Sequence, residues 1–206
     1  MMKKTVICNI PMKERVDLSV YTSDDQSFPV SGKAVRYPIN SFLAETMSQD
    51  DEIKVILLVK KDQYGHYEKN TEDFCAEINS VNEAIGATLD IRIVDTEFEE
   101  TKATHELLLG KIVDCLDTGA HILADVTYGP KDLLVVLFTA LNFAENFLEC
   151  SIDNIVYGQA SFVDGQAVDT KICDMVPLYC LSSITNTIHC STPDKAKSML
   201  KALLSL

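Results

Sequence analysis

The sequence predicts an α/β fold, a Rossmann-like doubly wound and mostly parallel sheet with a β-hairpin and a helix towards its C-terminal end. Three observations predict it. Short, near-continuous β-branched runs recur along the chain, as expected of strands covered on both faces. Longer segments with helical spacing separate them. The resulting β-α-β-α-β-α-β-α-β order closes by right-handed crossovers into a parallel sheet.

The strands are Thr5 to Ile10, Ile53 to Val59, Leu89 to Val94, His121 to Val126 and, as the core of a fifth, Ile155 to Tyr157. Pro38 to Met47 reads as a helix with proline in its first turn. Thr71 to Ile85 sets Phe74, Ile78, Val81 and Ile85 on one face. Glu100 to Leu116 does the same with Leu107, Leu108, Ile112 and Leu116. Lys131 to Leu148 is apolar around most of its circumference, which predicts burial in the core or in a subunit interface. Ala160 to Val163 and Gln166 to Cys173 flank Asp164-Gly165, the pattern of a hairpin. Thr192 to Leu206 reads as a short amphipathic helix, with Ser191 or Thr192 as its cap and Pro193 in its first turn. Tyr21 to Gly32 is the most polar stretch and is expected to be a flexible loop. The chain is expected to form one domain over 1–206, with a core over 1–159 and a hairpin and helical extension over 160–206.

Bulk properties narrow the function. Of 206 residues, 47% are hydrophobic, enough for a sizeable core. The formal net charge of −13 argues against binding long nucleic acid, which needs clustered Lys and Arg. It leaves room for a small phosphorylated ligand held by a few N–H groups and lysines. The seven cysteines include no C-x-x-C pair, so they read as free thiols of a reducing compartment. Asn9 and Pro11 come too soon for a signal peptide's apolar region, and no apolar run is long enough for a membrane span. A soluble, cytoplasmic protein that does not engage membranes is expected. The four histidines show no metal-binding spacing, so neither a metal site nor a cofactor is expected.

Ligands of open parallel sheets bind beyond the carboxyl ends of the strands. That rule points to five loops, Lys60 to Tyr67 and Asp95 to Thr101 among them; the ligand-binding candidates lie in and beside the other three, Asn9-Ile10-Pro11-Met12-Lys13, Asp125-Val126-Thr127-Tyr128-Gly129-Pro130-Lys131, and Gly158-Gln159 of Gly158 to Ser161. In the second of these a buried strand meets a buried helix through a hydroxyl, a phenol, a glycine and a lysine. Gly129 allows close approach, Pro130 suits a first helical position, and the helix N-terminus favours an anion. The spacing is equally compatible with Asp125 or Thr127 simply capping that helix.

The run from Ile122 through Asp125-Val-Thr-Tyr-Gly-Pro-Lys131 to Ala140-Leu-Asn142, followed by Asn154-Ile-Val-Tyr-Gly158, resembles the CARF domain, the Rossmann-like sensor of type III CRISPR antiviral systems. Asp125, Thr127, Gly129 and Lys131 match its Asp-x-Thr-x-Gly-x-Arg/Lys frame, and Ile172 to Leu178 is similar to the stretch that follows its hairpin. The family's arginine is Lys131 here, which keeps the charge and loses the bidentate fork. The first loop, Cys8-Asn-Ile-Pro11, departs from the Leu-Gly-x-Gly type of many relatives.

The resemblance implies a homodimer that binds a cyclic oligoadenylate, tetramer or hexamer, across its two-fold axis. In a sensor the residues of the three loops would only hold the ring. In a metal-independent ring nuclease, a ribose 2′-OH would attack its own phosphodiester, with Lys13, Thr127, Tyr128 and Lys131 as catalytic candidates. A generic mononucleotide-binding protein of the same architecture is the third expectation.

Overall fold

A computed structural model of the chain describes residues 3–25, 28–164, 166–190 and 192–205. Strands β1 (Lys3–Asn9), β4 (Glu52–Lys61), β5 (Thr88–Glu97), β6 (His121–Asp125), β7 (Ser151–Val163) and β8 (Gln166–Asp174) form a six-stranded sheet in the order β5-β4-β1-β6-β7-β8. All pairs are parallel except β7 with β8. Two short strands, β2 (Ser19–Val20) and β3 (Ala34–Val35), pair antiparallel outside it. The strand order reverses direction between β1 and β6, the switch point at which such sheets bind ligands.

Helices α1 (Pro38–Thr46) and α2 (His66–Glu83) pack together, as do α3 (Lys102–Cys115) and α4 (Lys131–Phe147). The central strands are sealed on both faces: Val6, Ile7, Val55, Ile56, Leu57, Ile122 and Ala124 have no exposed surface. Each large aliphatic side chain buried this way contributes about 1.5–3 kcal/mol. On α4, Leu133, Leu137, Ala140 and Leu141 are buried while Val135 and Phe147 are 68% and 71% exposed, so the helix is only partly covered.

Four expectations are corrected. The fifth strand is not a three-residue core followed by a separate hairpin strand. It is one 13-residue strand, β7, which pairs β6 through its first half and β8 through its second. Its polar start is accommodated because Asp174 accepts from the Asn154 amide and the Ile155 N–H, both at 3.1 Å.

The described residues of the stretch expected to be a flexible loop, 21–25 and 28–32, form a strap held to the sheet, residues 26 and 27 lying outside them. Thr22 N–H donates to Thr170 O at 3.1 Å, and Ile172 N–H donates to Thr22 O at 2.8 Å. Tyr21 and Phe28 are buried, and Phe28 stacks on Phe42 at 4.4 Å. Average polarity hid those two aromatic anchors.

Helix α2 starts five residues earlier than its apolar spacing suggests. Asp62 Oδ1 accepts from Tyr64 N–H and Gly65 N–H, and Gly65 turns the chain at φ +72°. Pro130 is the N-cap of α4 and not its first helical residue.

The chain divides into two compact units, 1–174 and 175–206. The second consists of α5 (Val176–Thr187) and α6 (Pro193–Leu203), with Thr192 Oγ1 capping α6 through Lys195 N–H at 3.4 Å. The sequence reading contains no counterpart of α5. Gly165 of the hairpin turn, the alternative cap Ser191 and the terminal Leu206 lie outside the described residues. Among the described residues no helix is long and apolar enough to cross a membrane.

Candidate functional site

The first and fourth crossover loops, which follow β1 and β6, meet at the switch point. Pro11, Met12 and Lys13 from one and Thr127 to Pro130 from the other line a single hollow of about 340 Å³. Lys13 Nζ lies over the Tyr128 ring, 5.1 Å from its centroid. The α4 N-terminus opens beside this hollow, and no side chain caps it. Its amide dipoles therefore remain available to an anion.

Asp125 ends β6 with no exposed surface. Its Oδ1 accepts from Thr127 N–H at 2.8 Å, and its Oδ2 accepts from Ile39 N–H at 3.2 Å. The carboxylate therefore caps α1, a distant helix, and folds its own loop, but leaves α4 uncapped. Burial pushes its pKa up to about 6, and the bonds from Thr127 and Ile39 offset part of that rise.

Thr127 Oγ1 accepts from Gly158 N–H at 2.8 Å, joining the fourth loop to β7. Gly158 is glycine because of crowding: a Cβ there would fall 2.4 Å from Pro38 Cγ and 3.1 Å from Thr127 Cγ2. Gly129 sits at φ +93°, and a Cβ would meet Asn9 Cβ and Leu133 Cδ1 at 3.2 Å.

Beneath Gly129, Asn9 is 1% exposed, and neither its Oδ1 nor its Nδ2 has a hydrogen-bond partner. A buried polar group left unpaired costs about 1–3 kcal/mol. Such orphans are rare in folded chains.

The other expected residues divide clearly. Ile10 and Val126 extend the sheet inward, donating to Leu58 O and Val156 O at 2.9 Å each. The Tyr128 hydroxyl donates to Arg36 O at 2.9 Å, and burial drives its pKa far above the ordinary phenol range. Its ring faces Lys13 while its hydroxyl is committed to the fold. Lys131 and Gln159 are exposed and stand outside the hollow's lining; Gln159 pairs Lys171 across β7 and β8, and its Oε1 accepts from the Cys173 thiol at 3.8 Å.

Sequence reading missed Asn70, which is 1% exposed on α2. Its Nδ2 donates to Pro11 O at 2.8 Å and to Lys13 O at 2.9 Å. A signal was present. The Phe74–Ile78 stripe continued four residues back reaches Asn70, a polar residue on a buried face.

Another cluster, Glu100, His105 and Asp132, has the geometry of a cation site. The buried Lys60 ammonium already fills it, lying 2.5 Å from Glu100 Oε1 and 2.6 Å from Asp132 Oδ2. His105 Nε2 approaches the same carboxylates at 3.1 and 3.4 Å. This group ties β4 to the start of α4 and so fixes one side of the hollow.

No protein-family model matches the chain, and no curated protein matches it significantly.

Proposed function

We propose that the chain is a CARF-type sensor of a type III CRISPR antiviral system, which binds a cyclic oligoadenylate as a homodimer. The observation that carries the reading is the unsatisfied Asn9 carboxamide at the switch point. It lies between a lysine-bearing loop and an uncapped helix N-terminus. Phosphates suit the free N–H groups and Lys13, and a nucleobase edge offers the donor and acceptor that the carboxamide lacks. A ligand that lifts Gly129 would relieve the cost of the orphaned amide.

The hollow has room for about one nucleotide. A ring therefore needs the matching hollow of a second protomer, and a two-fold dimer supplies it. The exposed Val135 and Phe147 on α4 favour that helix as the dimer face. A sensor is favoured over a ring nuclease because the Tyr128 hydroxyl is engaged by Arg36 O and the Lys13 ammonium by the Tyr128 ring.

The test is to incubate the protein with cyclic tri-, tetra- and hexa-adenylate in EDTA and to resolve bound and cleaved species. Binding of an intact ring is expected. Linear products ending in 2′,3′-cyclic phosphate would make the chain a ring nuclease. Binding of AMP by a monomer and of no ring would leave a generic mononucleotide site. Within the sensor reading, Lys13→Ala should weaken ring binding about tenfold through loss of one charge-assisted phosphate contact, whereas the exposed Lys131, outside the lining, should matter less. The loss should shrink as salt is raised, and isothermal titration at two ionic strengths measures both effects.

A further inference from the structure

We propose that Asn70 is the positioning residue of the first loop, setting which groups that loop presents to a phosphorylated ligand. The inference rests on the sensor reading for its ligand. Its geometry stands without it.

Both amide hydrogens of Asn70 are used on one loop, on Pro11 O and on Lys13 O. The described peptide bonds are all trans, and in a planar trans peptide the N–H points opposite to the C=O. Fixing those two carbonyls towards α2 therefore turns the N–H groups of Met12 and Glu14 away from α2. Neither N–H has an acceptor among the described residues. The loop thus spends its carbonyls on the fold and keeps its donors free, the polarity that an anion needs.

Asn70 is itself held in place. Its backbone carbonyl accepts from the Tyr37 hydroxyl at 2.6 Å, which holds this turn of α2 beneath the loop. The Tyr37 ring stands edge-on to Phe74 at 4.9 Å and to Tyr128 at 6.1 Å. Tyr128 in turn underlies the Lys13 ammonium. Asn70 therefore fixes the first loop against the fourth, and both the loop N–H groups and the Lys13 charge depend on it. Aspartate is nearly isosteric but would set a carboxylate against two carbonyl oxygens, so it should release the loop without leaving a cavity.

Two measurements on Asn70→Asp, with Asn70→Ser as a second variant, test this. The first is limited trypsin digestion without ligand. The thermal midpoint should fall, and below it cleavage after Lys13 and Arg15 should accelerate about tenfold more than cleavage at the remaining sites. An unchanged rate at Lys13, or a rise spread over all sites, overturns the proposal.

The second is the affinity for cyclic tetra- and hexa-adenylate in a cycle with Lys13→Ala. Asn70→Asp should weaken binding about tenfold in the wild-type background and much less in Lys13→Ala, because both act through one loop. Equal losses in the two backgrounds overturn it. If wild type binds no ring, the sensor reading fails, and the digestion result decides the role of Asn70 by itself.

Discussion

Asp125→Ala will destabilise the protein by about 3 kcal/mol at pH 5, read from urea midpoints. The carboxylate is fully buried and holds two N–H donors, Ile39 at the start of α1 and Thr127 in the ligand-side loop. Alanine strands both in the interior, at a cost of about 1–3 kcal/mol each. Against a typical stability of about 5–15 kcal/mol this is a large loss.

The same group gives a pH signature. Its pKa is raised from an ordinary 3.8 to about 6, chiefly by burial. The folded state therefore favours the protonated carboxyl more than the unfolded chain does. That contribution is fully present below about pH 4 and is lost as pH rises through about 6, amounting to about 3 kcal/mol. Asp125→Asn cannot ionise. The stability difference between wild type and Asp125→Asn should therefore shift towards wild type by about that amount as pH falls from 7 to 4. A difference that stays flat from pH 4 to 7 would contradict the buried carboxyl, whose two N–H bonds only partly offset its burial.

Gly158→Ala should cost about 2–3 kcal/mol by overpacking. The new methyl group would meet the rigid Pro38 ring at 2.4 Å, and Pro38 opens the helix that Asp125 anchors. Moving it disturbs the Thr127 bond to Gly158 as well. The identical substitution at Gly110, inside α3 with nothing within 4 Å and no positive φ, should instead stabilise by about 0.5–1 kcal/mol. Denaturation midpoints of the two variants should move in opposite directions, which separates the crowding at Gly158 from any general response to alanine.

The parts that could be read from sequence alone are those where one physical signal dominates. Ile53 to Val59 stands out because a strand buried on both faces is continuously apolar, and Leu89 to Val94, on the edge strand β5, by its β-branched residues alternating with Asp90 and Arg92; each lies inside its observed strand. The Asp125 to Lys131 junction stood out because strand, glycine and helix meet within a few residues. Its place at the ligand edge of the sheet followed from strand order.

What could not be read depends on partners remote in sequence. Asp125 looked like a local cap, whereas its second partner, Ile39, is set by tertiary packing. Gly158 looked like part of a ligand-side loop, whereas Pro38 dictates it. Asn70 fell outside the expected helix because the Asp62–Gly65 turn, and not apolar spacing, starts α2. Tyr128 offered a phenol that the backbone of Arg36 had already claimed.

The position of β1 also bears on how the domain assembles. It precedes the other strands of the sheet in chain order, yet it lies between β4 and β6, and the Asn9–Gly129 approach joins residues 120 positions apart. The β4-α2-β5 segment can form from near neighbours, whereas the central strand must wait for β6 before its second edge is paired. Long loop closure of this kind slows folding and comes late. The hollow is thus the seam along which the two halves of the sheet are joined. A molecule bound only by the folded chain there would act as a clasp on that seam, and the stability of the domain would rise with the logarithm of its concentration once that exceeds the dissociation constant.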